Sequence, residues 1–489
     1  MAISQSSIQT RGEARSKPIT QSKPIESSRG SESRMTHISR RDLLAGLAAS
    51  SATAIVSAHG ELRPGSATSN AQVFSGDERR QRAEALLRYF ATNAPLMLRP
   101  PDGILKHPCI AQSVPGNTYS TQLWDWDTLW TSMGLFRVAA LEHDESLKQK
   151  LCEHVCGSLL NFLEHASSGG QIPIMMTADD PDAFRVSEKG AISRNQAKPV
   201  FGQLGLLACD QSGDAKWLEP HFDSILRFYD SWITHNSSPI GLLVWGDDVA
   251  IGDDNDPTTF GRPFFSSANL LLNCLFHQDL LASAELARRL GRPADHDRLS
   301  SQAKELAQRI QTFCWDPRDS YFYTVDVQCV DRRADLIPTV PRGMDMSWKS
   351  LPTRIQMFTG FLPLWCGIAS QEIAHKLVST NYLADDRLSA EWGIRSLSNR
   401  ETMYSLDASS DPSNWLGPIW IIVNYFVWKA LQRYGYKKEA DALADKTILL
   451  LSKDLETNGS LNEYYHPDTG VALSHKGYIT WNLLVLEMI

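Results

Sequence analysis

The chain has 489 residues, 42% hydrophobic and 21% charged, with a formal net charge of −8. This is ordinary globular composition, and the length allows two or three domains or one large closed fold. The acid excess leaves no basic stripe to neutralise phosphates, which argues against a nucleic-acid partner. Fourteen tryptophans, several beside polar clusters, suit the CH-rich faces of sugar rings as well as they suit a helical core.

Residues 1–34 are rich in Ser, Gln, Lys and Arg without apolar periodicity, as expected of a disordered tail. The stretch SRRDLLAGLAASSATAIVSAHG follows, beginning at Ser39. Its Arg40–Arg41 pair precedes an Ala-rich apolar run that ends in small residues near Ala58. The pattern predicts a twin-arginine secretory signal, hence the twin-arginine export machinery as partner and a periplasmic or secreted location. The run is too short and too rich in Ala and Ser for a stable membrane anchor. Met35 competes with Met1 as the start, because the tail before the signal is long. The predicted organisation is a signal-bearing tail at 1–60, a linker at 61–77 and one domain at 78–489. The eight cysteines form no CxxC or CxH spacing, so zinc is not indicated, and most read as small core residues.

Apolar periodicity then predicts helices at 79–95, 121–140, 147–164, 198–210, 214–234, 264–290, 293–315, 353–367, 370–380, 413–435, 437–453 and 477–489. Short connections (290–295, 433–438) alternate with long polar ones (165–197, 235–263, 381–412). That alternation predicts an all-α toroid of six helical hairpins, an (α/α)6 barrel, with the long loops converging at one end to make a site. Strand-like pieces at 320–330 and 241–245 read as small β-hairpins in the loops. No phosphate-binding glycine motif follows a strand, which disfavours nucleotide folds.

The long loops hold the chemistry-bearing residues. In WDWDTLW, Trp124, Trp126 and Asp127 stand at the mouth of an apolar helix. Two acids there would serve as caps, but the tryptophans exceed what a cap needs. Gln171 of GGQIP and Gln196 of SRNQAKP can bind hydroxyls, and Arg194 can hold a carboxylate. The loop IGDDNDPTTF carries Asp253, Asp254 and Asp256 just after Asp247 and Asp248. It lacks the glycine and distal glutamate of a calcium loop, and a calcium ion bracing it stays an alternative. Asn255, Asp256 and Pro257 are turn chemistry. Trp245 and Ile251 would desolvate a carboxyl here and raise its pKa, as glycosidic bond cleavage requires. Further on, SNWLGPIW opens a helix with Trp415, Gly417 and Trp420, and NEYYHPDTG places Glu463 beside Tyr464.

Six motifs in order carry a resemblance: W-x-W-D at 124–127, G-Q-I-P at 170–173, N-Q-x-x-P at 195–199, G-x-D-N-x-P at 252–257, W-x-G-P-I-W at 415–420 and N-E-Y-x-x-P-x-T-G at 462–470. Over about residues 80–489 the chain resembles the (α/α)6-barrel glycosidases of glycoside hydrolase family 63, including mannosylglycerate hydrolases, and more distantly the trehalases. The resemblance implies an inverting O-glycosyl hydrolase acting on an α-linked glucosyl- or mannosyl-type glycoside without a cofactor. It implies Asp254 as general acid and Glu463 as general base, about 6.5–9.5 Å apart across a water. Trp124, Trp126 and Trp420 are then expected as sugar platforms and Asp127, Gln171 and Gln196 as hydroxyl partners. Arg194, Trp415, Gly417 and Tyr464 complete the expected substrate contacts. The chain departs from the family at Ala250–Ile251, where Glu-Ser is usual, and at Asp253, where an apolar residue is usual. Those departures leave Asp253 and Asp248 as alternative donors. They also leave two other readings open: a catalytically degenerate sugar-binding barrel, or an epimerase or lyase using Tyr464, His466 or His475 as base.

Overall fold

The computed structural model describes residues 75–117, 119–184, 195–328, 348–407, 413–474 and 476–489. The arginine pair, the apolar run after it, both candidate start residues, most of the linker, Arg194, Cys329 and His475 lie outside the described residues.

Ser75 caps α1 (Gly76–Asn93) by accepting from Glu78 N at 3.2 Å. The helices α2 (Asp125–Leu141) and α3 (Glu145–Glu164) follow, then α4 (Phe201–Ser212), which stops at left-handed Gly213. Next come α5 (Phe222–Asn236), α6 (Leu270–Arg289) and α7 (Pro293–Cys314). The later elements are the short α8 (Leu362–Trp365), then α9 (Gln371–Val378), α10 (Ile421–Arg433) and α11 (Lys437–Asn458). A C-terminal 3-10 segment spans Thr480–Glu487.

Burial sorts these elements into two kinds. In α7 the buried positions are Leu299, Ala303, Leu306, Ile310 and Cys314, one stripe at helical spacing, so the opposite face meets water. In α6 and α10 the burial runs almost all round, as it must when both sides are covered by protein. An inner set packs in succession, α2 on α4, α4 on α6, α6 on α8, α8 on α10, α10 on the C-terminal segment, and that segment back on α2, with α4 the member buried on one side only. Single-stripe helices lie against this succession, α3 on α2 and α4, α7 on α6, and α11 on α10 and α1.

The ends differ from the sequence pattern where backbone chemistry intervenes. The expected helix at 413–435 begins only at Ile421. Gly417 has φ 135°, and a Cβ there would lie 2.3 Å from the Tyr404 ring. The expected helices at 353–367 and 477–489 are short or 3-10 pieces, and the residues from 264 run first into an extended pair, Ser267–Ala268 against Val325–Asp326. The piece at 320–330 does form loop ribbons, whereas 241–245 makes an isolated bridge, Ser237 to Leu243. Among the described residues no helix is long and apolar enough to cross a membrane.

Gly134 marks the contact that returns the succession to α2, because a Cβ there would sit 2.2 Å from Leu483 Cβ. Gly134→Ala gains about 1 kcal/mol of helix propensity but forces a methyl into a filled interface, at a cost of about 1–3 kcal/mol. The expected outcome is a lower melting temperature for the variant; an unchanged or higher one would show that this interface is loose.

Candidate active site

Six separated segments meet around one cavity, whose empty volume is about 460 Å³ including solvent at its mouth. The start of α2 contributes Trp124, Trp126 and Asp127, and the acidic loop contributes Gly252 and Asp254. Glu463 faces the same space, with Tyr478 and Trp481 from the chain's last segment and Lys198 from the segment before α4.

Backbone pairing positions these groups. Leu123–Trp124 pairs antiparallel with Met175–Met176, and Asp125 N donates to Ile174 O at 3.0 Å. Ala197 N donates to Ile172 O at 2.9 Å, so the stretch 172–176, running on from G-Q-I-P, joins the W-x-W-D and N-Q-x-x-P segments through its main chain. On the other side, Tyr465 and Ile419 exchange two backbone bonds of 3.0 and 2.8 Å. Asp454 accepts from Asn462 and from the Tyr465 hydroxyl, which fixes the turn beside Glu463. Asn255 accepts from Trp415 N at 2.6 Å and donates to Asn414 Oδ1 at 3.2 Å, tying the acidic loop to W-x-G-P.

Of the clustered aspartates, Asp254 lines the cavity and the other candidate donors do not. Asp253 is fully buried, and neither carboxyl oxygen has a hydrogen-bond donor. Burial, followed by the neighbouring Asp256 carboxylate, pushes its pKa well up. Asp256 accepts from Thr258 N, the Thr258 hydroxyl and Asn269 Nδ2 at 2.7–2.8 Å. A protonated Asp253 facing an Asp256 held by those donors is the arrangement that satisfies both. Asp248 accepts from Gly261 N at 2.7 Å and shapes the loop.

Asp127 lines the same cavity as Asp254 and Glu463. Burial first, then the charge of Asp125, and also Glu463 and Asp254 push its pKa up to about 8, against the pull of Lys198. Tyr478 OH stands 3.5 Å from Asp127 Oδ1. Burial, then Asp127 and Glu463, hold the phenol well above its ordinary value, so it stays a donor. Among the described residues no group of three or more His, Cys, Asp or Glu is arranged to hold a metal ion.

Several expected substrate contacts lie elsewhere. Trp415 and Trp420 have no exposed surface and stack on each other at 4.1 Å and 6°, with Tyr464 4.7 Å from Trp420. With both faces covered, Trp420 is no sugar platform and Trp415 no open contact; they form the wall behind Trp126 and Trp481. Gly417 donates its N–H to Ser396 Oγ, a backbone role. Gln196 is buried against Ser231, and Gln171 is placed by its main-chain bonds with Ser167. Neither glutamine lines the cavity. His466 lies outside it too, its Nδ1 accepting from Asp468 N.

Sequence reasoning missed Lys198, Tyr478 and Trp481. The charge of Lys198 inside the otherwise uncharged N-Q-A-K-P was a signal. Tyr478 and Trp481 were hidden by the apolar run that follows them.

The cavity on this helical scaffold is lined by indoles and by the carboxyls of Asp127, Asp254 and Glu463. The chain matches the family described as the mannosylglycerate hydrolase MGH1-like glycoside hydrolase domain over residues 121–481. It belongs to that family. Mannosylglycerate hydrolase MGH1 of Selaginella moellendorffii is 35% identical over 124 residues, 25% of this chain and 22% of that protein. Cytosolic neutral trehalase of Kluyveromyces lactis is 23% identical over 415 residues, 73% of this chain and 51% of that protein. The aligned stretches thus span between about a fifth and a half of these relatives' own length. Among solved structures, family 63 mannosylglycerate hydrolase from Thermus thermophilus, in complex with glucose, superposes with a TM-score of 0.56 at 18% identity. That superposition covers 84% of this chain and 98% of the other. Neutral trehalase Nth1 of Saccharomyces cerevisiae gives 0.56 at 17% identity, over 78% of this chain and 74% of the other.

The Asp127 shift carries a sign. Between its unfolded value near 3.9 and its folded value of about 8, the native state holds the extra proton. Stability is therefore present in full below that window and falls as pH rises through it. Asp127→Asn removes this contribution, so melting temperature should fall less steeply from pH 5 to pH 9 in the variant than in the parent chain. Parallel curves would mean that Asp127 is ionised throughout.

Proposed function

We propose that this chain is an exported, inverting α-glycosidase on a closed (α/α)6 toroid, acting on a mannosyl- or glucosyl-glycerate type of glycoside. The observation that carries the mechanism is the placement of Asp254, Glu463 and Asp127 on one cavity. Asp254 gives its proton to the glycosidic oxygen as the bond from that oxygen to the anomeric carbon breaks. Glu463 takes a proton from a water that attacks the opposite face, so the product emerges with inverted configuration. Asp127, protonated near neutral pH, and Tyr478 supply hydrogen bonds to sugar hydroxyls, while Trp124, Trp126 and Trp481 offer ring faces. The succession of inner helices that returns to α2 supports the closed toroid, and the relatives named above support the substrate class. The arginine pair and the small-residue site after it support export.

The test is hydrolysis of mannosylglycerate, glucosylglycerate and trehalose by the wild-type chain, Asp254→Asn and Glu463→Gln. Each variant should fold and lose on the order of 10²–10⁴-fold or more in kcat. Proton NMR of the sugar first released from a glycerate glycoside should show the β-anomer, whereas trehalose should give α- and β-glucose in equal amounts. Near-normal rates in either variant, or an initial α-anomer from a glycerate glycoside, would overturn the assignment.

A further inference from the structure

The Lys198 side chain is 2% exposed, and its ammonium is shared between two segments that the sequence keeps far apart. Its Nζ lies 3.1 Å from Asp125 Oδ1 and donates to Ala250 O at 3.0 Å. Asp125 is committed on every side: Oδ1 also accepts from Trp126 N at 2.7 Å, and Oδ2 accepts from Lys198 N at 2.6 Å. Asp125 is therefore a fixed anchor at the start of α2, and Lys198 transmits that anchor to the acidic loop.

Ala250 needs such a hold. It has φ 53°, a left-handed conformation that a residue with a Cβ adopts only when its surroundings impose it. Two residues on, Gly252 has φ 104°, and the position of a Cβ there lies 3.1 Å from Trp126 Cζ2 and 3.3 Å from Lys198 Cδ. The loop backbone thus lies directly on the Lys198 stem and the Trp126 ring. Gly252 N in turn points at Asp254 Oδ1, 3.4 Å away. A continuous path runs from Asp125 through Lys198, Ala250 and Gly252 to Asp254.

We infer that Lys198 is a positioning residue for the proton donor: by holding Ala250 O and supporting Gly252, it sets where the Asp254 carboxyl meets the glycosidic oxygen. The inference rests on the reading of Asp254 as general acid. It differs from a role in sugar binding, because both polar contacts found for Nζ are to the protein.

The test separates proton donation from the rest of catalysis. A glycosyl fluoride expels fluoride without needing a proton from an acid, whereas an alkyl glycoside needs one. The probes are whichever of mannosylglycerate and glucosylglycerate the wild-type chain hydrolyses, with the α-fluoride of the same sugar. Lys198→Met should lower kcat on the alkyl glycoside on the order of a hundredfold, with KM and the rate on the fluoride within about threefold of wild type. Removing one partner of a buried pair strands the other charge, so Asp125→Asn/Lys198→Met is made alongside. It removes both charges and the link to Ala250, and should fold while showing the same selective loss. Equal losses on both probes, or wild-type kcat on the alkyl glycoside in a folded double variant, would overturn the inference. Asp254→Asn is the control. If it is selective and the Lys198 variants are not, the positioning role falls alone; if Asp254→Asn loses both probes equally, the acid assignment falls with it.

Discussion

Burying several carboxyls around one cavity is the constraint on which the rest of this structure depends. Asp127, Asp254 and Glu463 line the cavity and Asp125 lies directly behind it, while the ammonium among the described lining residues is that of Lys198. Unscreened negative charge at this density is prohibitive in a low-dielectric interior unless protons or oriented donors offset it. The site uses both. Asp125 is held by Lys198 and two backbone N–H groups, and Asp127 keeps a proton to about pH 8. What remains is a pair of carboxyls on different elements, which is the arrangement in which one can serve as acid and the other as base.

The same rule resolves the crowded loop. Three aspartates within four positions cannot all ionise beside one another, and the chain separates them by direction. Asp254 turns to the cavity, Asp253 turns inward without a donor, and Asp256 is satisfied by Thr258 and Asn269. The aspartate that replaces an apolar residue of the family pattern is thus accommodated as a neutral, buried acid. It costs the loop no second charge beside Asp254.

Helical periodicity made most of the long elements legible, because a stripe such as that of α7 is written directly in residue spacing. The elements misjudged are those whose course is set by contacts distant in sequence. At 413–420 the ring of Tyr404 requires a glycine conformation that delays the helix, and at 477–489 the run is apolar all round and carries no direction. Of the expected site residues, Asp127, Asp254 and Glu463 line the cavity, and these are positions where motif and chemistry coincide. Lys198 was not singled out: its charge inside N-Q-A-K-P acquires a meaning only when the fold brings Asp125 and Ala250 to either side of it. Residues 170–173 were found for the wrong reason, since their contribution runs through the main chain, which side-chain identity does not reveal.

The tryptophans show why adjacency to a carboxylate cannot by itself identify a sugar platform. Trp126 and Trp481 face the cavity, and Trp415 and Trp420 stand one layer further back, yet Trp126, Trp415 and Trp420 alike belong to motifs singled out in the sequence. The second layer matters through rigidity rather than contact. Stacked indoles have few ways to rearrange, and Trp415 is held in place by the bond from its N–H to Asn255, the residue next to Asp254. Tyr464, packed on Trp420, is the residue next to Glu463. The aromatic wall therefore reaches to within one residue of each carboxyl that faces the cavity. A displacement of an ångström is enough to cost an enzyme of this kind a large part of its rate, so a wall that never touches the substrate still bears on how well the two carboxyls can act together.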